Sequence, residues 1–571
     1  NQEIPRFGTI AVEIPAGAIS TLAASNATNY LSLDRSVGGL GHVETTTGED
    51  AMLAKYSGTD GSGIGVAVLD SGISAKHKSL MGRVVLSRDF TGEGTTDDQY
   101  GHGTFVASMI AAKQGPYGGV ATAASLINFR VLDSQGRGSM SEVLNALNAI
   151  LTYRAQYNIR VVNMSLGSVA VDSYKNDPLC RAVRRLVDAG IVVVAAAGND
   201  GKDATNAKIY GRIHSPGNEP SAITVGATNT FGTDVRGDDV VTTFSSRGPT
   251  RSYWKDARGI KHYDNLMKPD VVAPGNKIIG AAAPNNEIAA ESPELCVSQC
   301  NNSANSGKSN MRLSGTSVSA PIVAGAAAVL LEANPKLTPN MVKMILMYTA
   351  QSLKGYNMLE QGAGQLNIEG AVRLAKLVRT DLSGSTPVGT PLLTSAAPTP
   401  TTTIAGQTFI WSQGVILNHN WAAGSSLITK YQGIYGYCVL LGDGVLISDG
   451  VLLADLAKLS SGVLLGDNIL ISNGITMSDG IPMMSSGVLL GDGVLLADGV
   501  LLGDGMLYAD RAGVLVADRA GVLVADRSGV LVADRTGVLV ADRAGVLVAD
   551  RAGVLVADSY RGDQTNCMNE E

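Results

Sequence analysis

Five apolar runs recur along the first 230 residues, and each stops on a polar or small residue. They are GIGVAVLD (63–70), SLINFRVLD (125–133), RVVNMSLGS (160–168), GIVVVAAAGND (190–200) and AITVGAT (222–228). A strand that is apolar at every position, rather than at alternate ones, must be covered on both faces. Helical spacing fills the gaps at 102–113, 139–157 and 177–190. Strands alternating with helices connect by right-handed crossovers into a parallel sheet with helices on both sides. The predicted fold class is therefore α/β, a doubly wound and mostly parallel sheet. Sites in such sheets lie at the carboxyl ends of the strands, where Asp70, Ser165 and Asn199 fall.

At 571 residues the chain exceeds one ordinary domain, and its composition changes along its length. After EGAVRLAKLV (369–378), residues 379–406 are rich in Thr, Pro, Ser and Gly and read as a solvated linker. Residues 407–571 then repeat. Hexads of the type GVLLxD run from 444 to 505, and octads of the type GVLVADRA run from 505 to 558. Both periods are even, so side-chain alternation survives every repeat. The expectation is an all-β region, either a solenoid or stacked hairpins. The Asp ladder offers oxygen donors for calcium, but its spacing matches no calcium loop, so no metal ligand is assigned.

The formal charge of −7, with no basic cluster, argues against a nucleic-acid partner. No run of 18 uncharged apolar residues occurs, so no membrane span is predicted. Asn1, without a preceding Met or signal segment, reads as a processed or truncated start. Of five cysteines, Cys296 and Cys300 flank a short polar loop and are the candidate disulfide, which suits an oxidising compartment.

Three segments carry chemistry together. VAVLDSGI sets Asp70 at a strand end, GHGTFVAS sets His102 at a helix start, and SGTSVSAP sets Ser317 at another. A serine hydroxyl is a weak nucleophile until a base removes its proton. Histidine titrates near neutrality and can accept and return that proton. A carboxylate holds the imidazole in the useful tautomer, and the order Asp, His, Ser is a known serine-hydrolase order. Asn199, following an apolar strand, is the candidate donor to an oxyanion. Taken singly, each residue has a plainer reading, Ser317 as a helix N-cap above all. The joint pattern outweighs them.

With VVNMSLGS, VVVAAAGN, FSSRGP and KPDVVAPG added, residues 55–378 resemble the subtilisin-like serine proteases, the subtilases. The resemblance implies a secreted endopeptidase acting on protein and peptide substrates, with Asp70, His102 and Ser317 as its triad. Asn199 and the Ser317 N–H would be the oxyanion donors. Ser165, Leu166 and Gly167, with Ala195, Ala196, Ala197 and Gly198, would line the S1 pocket as extended strands to which substrate adds. Pro321 is expected in the first helical turn, where its missing N–H costs little. Phe105 and Ser108 depart from the family pattern, and Phe105 is expected to reshape nearby subsites. The insert 284–310 is expected at a rim of the cleft. His42, His77, His214 and His262 are expected at the surface or behind the site.

Residues 1–36 resemble the second half of the family's inhibitor-like propeptide, in the order strand, helix, strand, with 37–378 as the protease domain. If attached, this piece would block the cleft. A competing reading makes the chain an assembly protein whose repeats self-associate through unprotected edges and carry the protease domain as decoration.

Overall fold

The computed structural model describes residues 43–412 with gaps at 114, 256, 258–260, 265, 298–299, 301–306, 384–385 and 387–390. It also describes parts of 2–28 and, after residue 412, only backbone strand segments between 440 and 557. Of the expected all-β repeat region the structure thus describes only backbone strand segments. Residues Asn1–Leu40 form a separate unit. In it Gln2–Ile4 pairs antiparallel with Thr9–Ala11, and a short helix follows at Ile19–Ala23. That matches the expected strand and helix; the second expected strand lies outside the described residues.

The central sheet contains β1 (Gly65–Asp70), β2 (Val84–Asp89), β3 (Ser125–Arg130), β4 (Ile159–Met164), β5 (Val192–Ala196), β6 (Ile223–Asn229), β7 (Val240–Val241) and β8 (Val271–Pro274). Its order is β7-β6-β5-β4-β1-β3-β2, with β8 also paired to β6. All pairs are parallel except β6–β7. Successive residues of β1 face opposite layers, as a pleated strand requires. Val66 and Val68 join one core with α1 (His102–Ala111) and α4 (Thr316–Ala333). Ala67 and Leu69 join another with α2 (Met140–Tyr153) and α3 (Pro178–Asp188). The continuous apolar runs are thereby explained, and the doubly wound expectation holds.

Helix α4 is apolar on every side and runs through the first core, with all residues from Val318 to Leu331 buried. By length and composition it could cross a membrane, but 83% of its apolar window is buried inside the protein. A helix of that kind is a core element here.

Two features differ from expectation. Pro321 is the sixth residue of α4, not a first-turn residue. The Thr/Pro-rich stretch is also not wholly a solvated linker. Thr401–Ile404 and Gln407–Ile410 form a hairpin leading to Trp411, which is 2% exposed. Its indole donates to Thr402 Oγ1 and lies under the guanidinium of Arg373 on α5 (Ile368–Ala375). Trp411, with Ile404 and Thr402 buried beside it and Asn367 and Glu369 bonded to Thr402, docks the end of this polar run.

Candidate active site

Asp70 ends β1 at the carboxyl edge of the sheet and is 1% exposed. His102 opens α1 across the loop from it. Gly103 permits that approach, since a Cβ there would sit 2.2 Å from the Gly72 carbonyl oxygen. His102 Nδ1 lies 2.8 Å from Asp70 Oδ1, which also accepts from the Ser71 N–H at 2.8 Å. An Nδ1–H donated to Asp70 leaves Nε2 as the free basic nitrogen.

A second carboxylate, which no sequence pattern singles out, supports this pair. Asp98 is fully buried behind the helix start. It accepts from Ser71 Oγ at 2.8 Å, Gly101 N at 2.7 Å and Thr104 N at 2.7 Å. It thus ties the end of β1 to the first turn of α1 and satisfies that turn's unpaired N–H groups. Burial raises Asp98 above the usual carboxylate range despite these bonds. For His102, burial alone would lower the pKa, but Asp70, and after it Asp98, raise it above the ordinary imidazole value.

Ser317 is the second residue of α4, and the N-cap position belongs to Gly315. This removes the reading of Ser317 as an N-cap. Asn199 follows β5, and its Oδ1 accepts from both the Thr316 N–H at 2.9 Å and Thr316 Oγ1 at 3.0 Å. A backbone N–H can only donate, so the oxygen must face Thr316 and the amide nitrogen must face away. A point one carbon bond above Gly315 lies 3.0 Å from Ser317 Oγ, 3.4 Å from Asn199 Nδ2 and 3.7 Å from the Ser317 nitrogen. The hydroxyl and the two donors thus cluster on one side of Gly315, which has no side chain to stand between them and a reacting carbonyl. Helices α1 and α4 pack against each other, so His102 and Ser317 start neighbouring helices. Among the described residues Ser317 Oγ makes no hydrogen bond with the ring; such bonds often tighten only with substrate.

The two predicted crevice strands leave the sheet side by side, because Met164 of β4 pairs with Ala195 of β5. Ser165, at 5% exposure, donates to the Ser317 carbonyl at 2.7 Å. Leu166 is half-buried, but Ala195, Ala196 and Ala197 are buried; Ala195 pairs within the sheet on both sides, and Ala197 donates to Val225 O and accepts from His214 N, so neither of these two keeps a free backbone edge, against expectation. His214 closes the far end. Its N–H donates to Ala197 O, and its β-bridge partner is Val169, just past Gly167. The ring packs against Gly198, and its Nε2 lies 2.6 Å from Asp200 Oδ2. His214 therefore stands at the crevice rather than behind it; a single histidine in a loop carries no mark of where the loop returns.

Other expectations fare unevenly. Cys296 and Cys300 form a disulfide, and Cys180 is free and buried. The insert does abut the loop before His102, through Glu287 N to Gln99 O and Ile288 N to Tyr100 O. Phe105 is wholly buried in the first core, so it meets no subsite directly. His77 is also buried, with Nε2 3.0 Å from Ser309 O, and burial lowers its pKa. His42 lies outside the described residues. Among the described residues no three His, Cys, Asp or Glu side chains converge on a cation site.

A sequence profile described as the subtilase family matches residues 61–369, more than half the chain. The chain belongs to the subtilase family. This subtilase is 35% identical over 369 residues to the serine protease AprX of Bacillus subtilis, covering 63% of this chain and 77% of that protein. It is 31% identical over 354 residues to an extracellular serine proteinase of Thermus, covering 60% and 70%. The human membrane-bound transcription factor site-1 protease is 33% identical over 315 residues, but the chain spans only 25% of its length. The subtilase is accordingly a serine endopeptidase, a hydrolase of the subtilisin-like α/β fold.

Proposed function

We propose that this subtilase cleaves peptide bonds through an acyl-enzyme, with Ser317 as nucleophile, His102 as base and then acid, and Asp70 holding the imidazole. Proton removal by His102 Nε2 lets Ser317 Oγ attack the scissile carbonyl. The Asn199 amide and the Ser317 N–H then meet the oxyanion, aided by the positive end of α4. His102 returns its proton to the leaving amine, and water repeats the sequence to release the acid. The backbone of 165–167 takes the substrate as an added strand. The observation that carries this reading is the pinned Asn199, which directs its amide to the space above Gly315 beside Ser317.

The test is hydrolysis of a chromogenic peptide by the full chain. Ser317→Ala and His102→Ala should each lose at least about a thousandfold in kcat, with folding intact. Activity retained in Ser317→Ala would defeat the assignment.

Secretion is part of this reading. The disulfide and the resemblance to an extracellular proteinase support it. Calcium is the one metal the reading retains, without assigned ligands; the described residues offer no cluster that fits it, and no step passes through it. Residues 1–36 are read as a segment of an inhibitor-like propeptide. The repeats are read as a solenoid rather than stacked hairpins. Parallel pairing of segments twelve residues apart, Val451 with Val463 and Val463 with Ile475, supports two hexads per turn.

A further inference from the structure

In an α-helix the N–H of residue 321 would bond the carbonyl of residue 317. Pro321 has no N–H, so α4 leaves the carbonyl of its own nucleophile without a helical partner. Ser165 Oγ occupies the vacant place, 2.7 Å from the Ser317 oxygen. The direction of that bond is fixed from behind. Asn163 Nδ2, on a residue with no exposed surface, donates into Ser165 Oγ at 3.0 Å. The hydroxyl's one proton is thereby directed at Ser317. The chain from Asn163 to Ser165 to Ser317 O therefore fastens the peptide of the nucleophile to the tip of β4.

We propose that Ser165 is a positioning residue of this subtilase, whose hydroxyl replaces the helix bond that Pro321 deletes and so fixes Ser317 against the crevice strand. The proposal rests on the peptidase reading above. Both groups that Ser317 supplies, its Oγ and its N–H, sit on the residue whose carbonyl is anchored. The backbone of Ser165 is the part assigned to substrate; its side chain serves the nucleophile. One strand tip thus sets the distance between the substrate backbone and the attacking oxygen.

The pairing of Ser165 with Pro321 gives a test that mere packing would not meet. Ser165→Ala removes the hydroxyl and keeps the backbone. In the native Pro321 background it should lower kcat roughly ten- to hundredfold, the usual effect of orphaning a buried acceptor, with KM changed less than about threefold. Pro321→Ala restores an N–H that can reach the Ser317 carbonyl. Measured against Pro321→Ala alone, the further substitution Ser165→Ala should cost less than about threefold in kcat. Equal losses in both backgrounds, or no loss in either, would overturn the proposal. A wild-type chain that hydrolyses no peptide and takes up no fluorophosphonate overturns the peptidase reading itself and the assignment with it.

Discussion

Gly315→Ala tests whether the space above residue 315 is where the reacting carbonyl sits. The new methyl would lie 3.0 Å from Ser317 Oγ and 3.4 Å from Asn199 Nδ2. Ordinary carbon contacts begin near about 3.5 Å, so the methyl would press on the nucleophile and crowd the approach of the substrate oxygen to its donors. No backbone atom is nearer than the Ser317 nitrogen at 3.7 Å, so the fold has little to lose beyond the strain of φ +155°. Loss of one oxyanion donor costs about 2.7–4 kcal/mol, a value measured in subtilisin, itself a member of this family. Keeping the carbonyl from both donors should cost at least as much, a fall in kcat of about 10²–10³ or more. The assay is kcat/KM on a chromogenic peptide beside the rate of fluorophosphonate labelling, with the unfolding midpoint as a control. Normal turnover by a folded Gly315→Ala chain would refute the placement of the oxyanion.

Four further outcomes follow from particular contacts. His102 works as a base only when neutral, and Asp70 and Asp98 raise its pKa above 6.5 against the lowering effect of burial. The acid limb of kcat/KM should therefore lie above that value, and Asp98→Asn should move it to lower pH; a limb that stays in place contradicts the assignment. Burial raises the Glu44 carboxyl from 4.5 to about 7. A raised acid favours folding below its unfolded pKa and loses that contribution as pH rises to about 7, so Glu44→Gln should raise the melting temperature at about pH 8 and leave it nearly unchanged at about pH 4. Trp411→Ala should lower stability by about 3–5 kcal/mol in denaturant titrations, whereas a true linker residue would change it by less than about 0.5 kcal/mol. Asp200 sits half exposed beside the oxyanion donor and holds His214 across the crevice, so Asp200→Asn should reduce the ratio of Lys to Met at P1 by about three- to tenfold; an unchanged ratio in a peptide panel would separate this pair from the substrate pocket.

The sheet is legible in the sequence because burial on both faces writes itself into every residue of a strand, as in Val66 through Leu69. The proposed triad of Asp70, His102 and Ser317, and with it Asn199, is legible because each stands where a strand ends or a helix starts within a dense local motif. What escapes depends on returns of the chain that no local pattern records. Asp98 reaches the helix start only because the loop from 89 to 101 folds back over the end of β1. His214 meets Gly167 and Gly198 only after a separate excursion of the backbone. Phe105 misleads because it lies one helical turn from His102, yet α1 runs from the site straight into the first core and buries it wholly. Pro321 misleads because proline is commonest in a first turn; with Thr316 as the first helical residue it is the sixth, in the second turn, and its missing bond becomes a feature of the site. The docked hairpin at 401–410 is hidden by Thr and Pro, whose composition resembles a linker until Trp411 is counted.

Whether Ser317 is an activated nucleophile decides the rest, and fluorophosphonate labelling of the full chain reads it out. Mass spectrometry of the digested product locates the modified peptide. A single adduct on Ser317, formed by wild type and abolished in His102→Ala, is the expected result. An adduct on another serine, or labelling of Ser317 at an equal rate without His102, would contradict it.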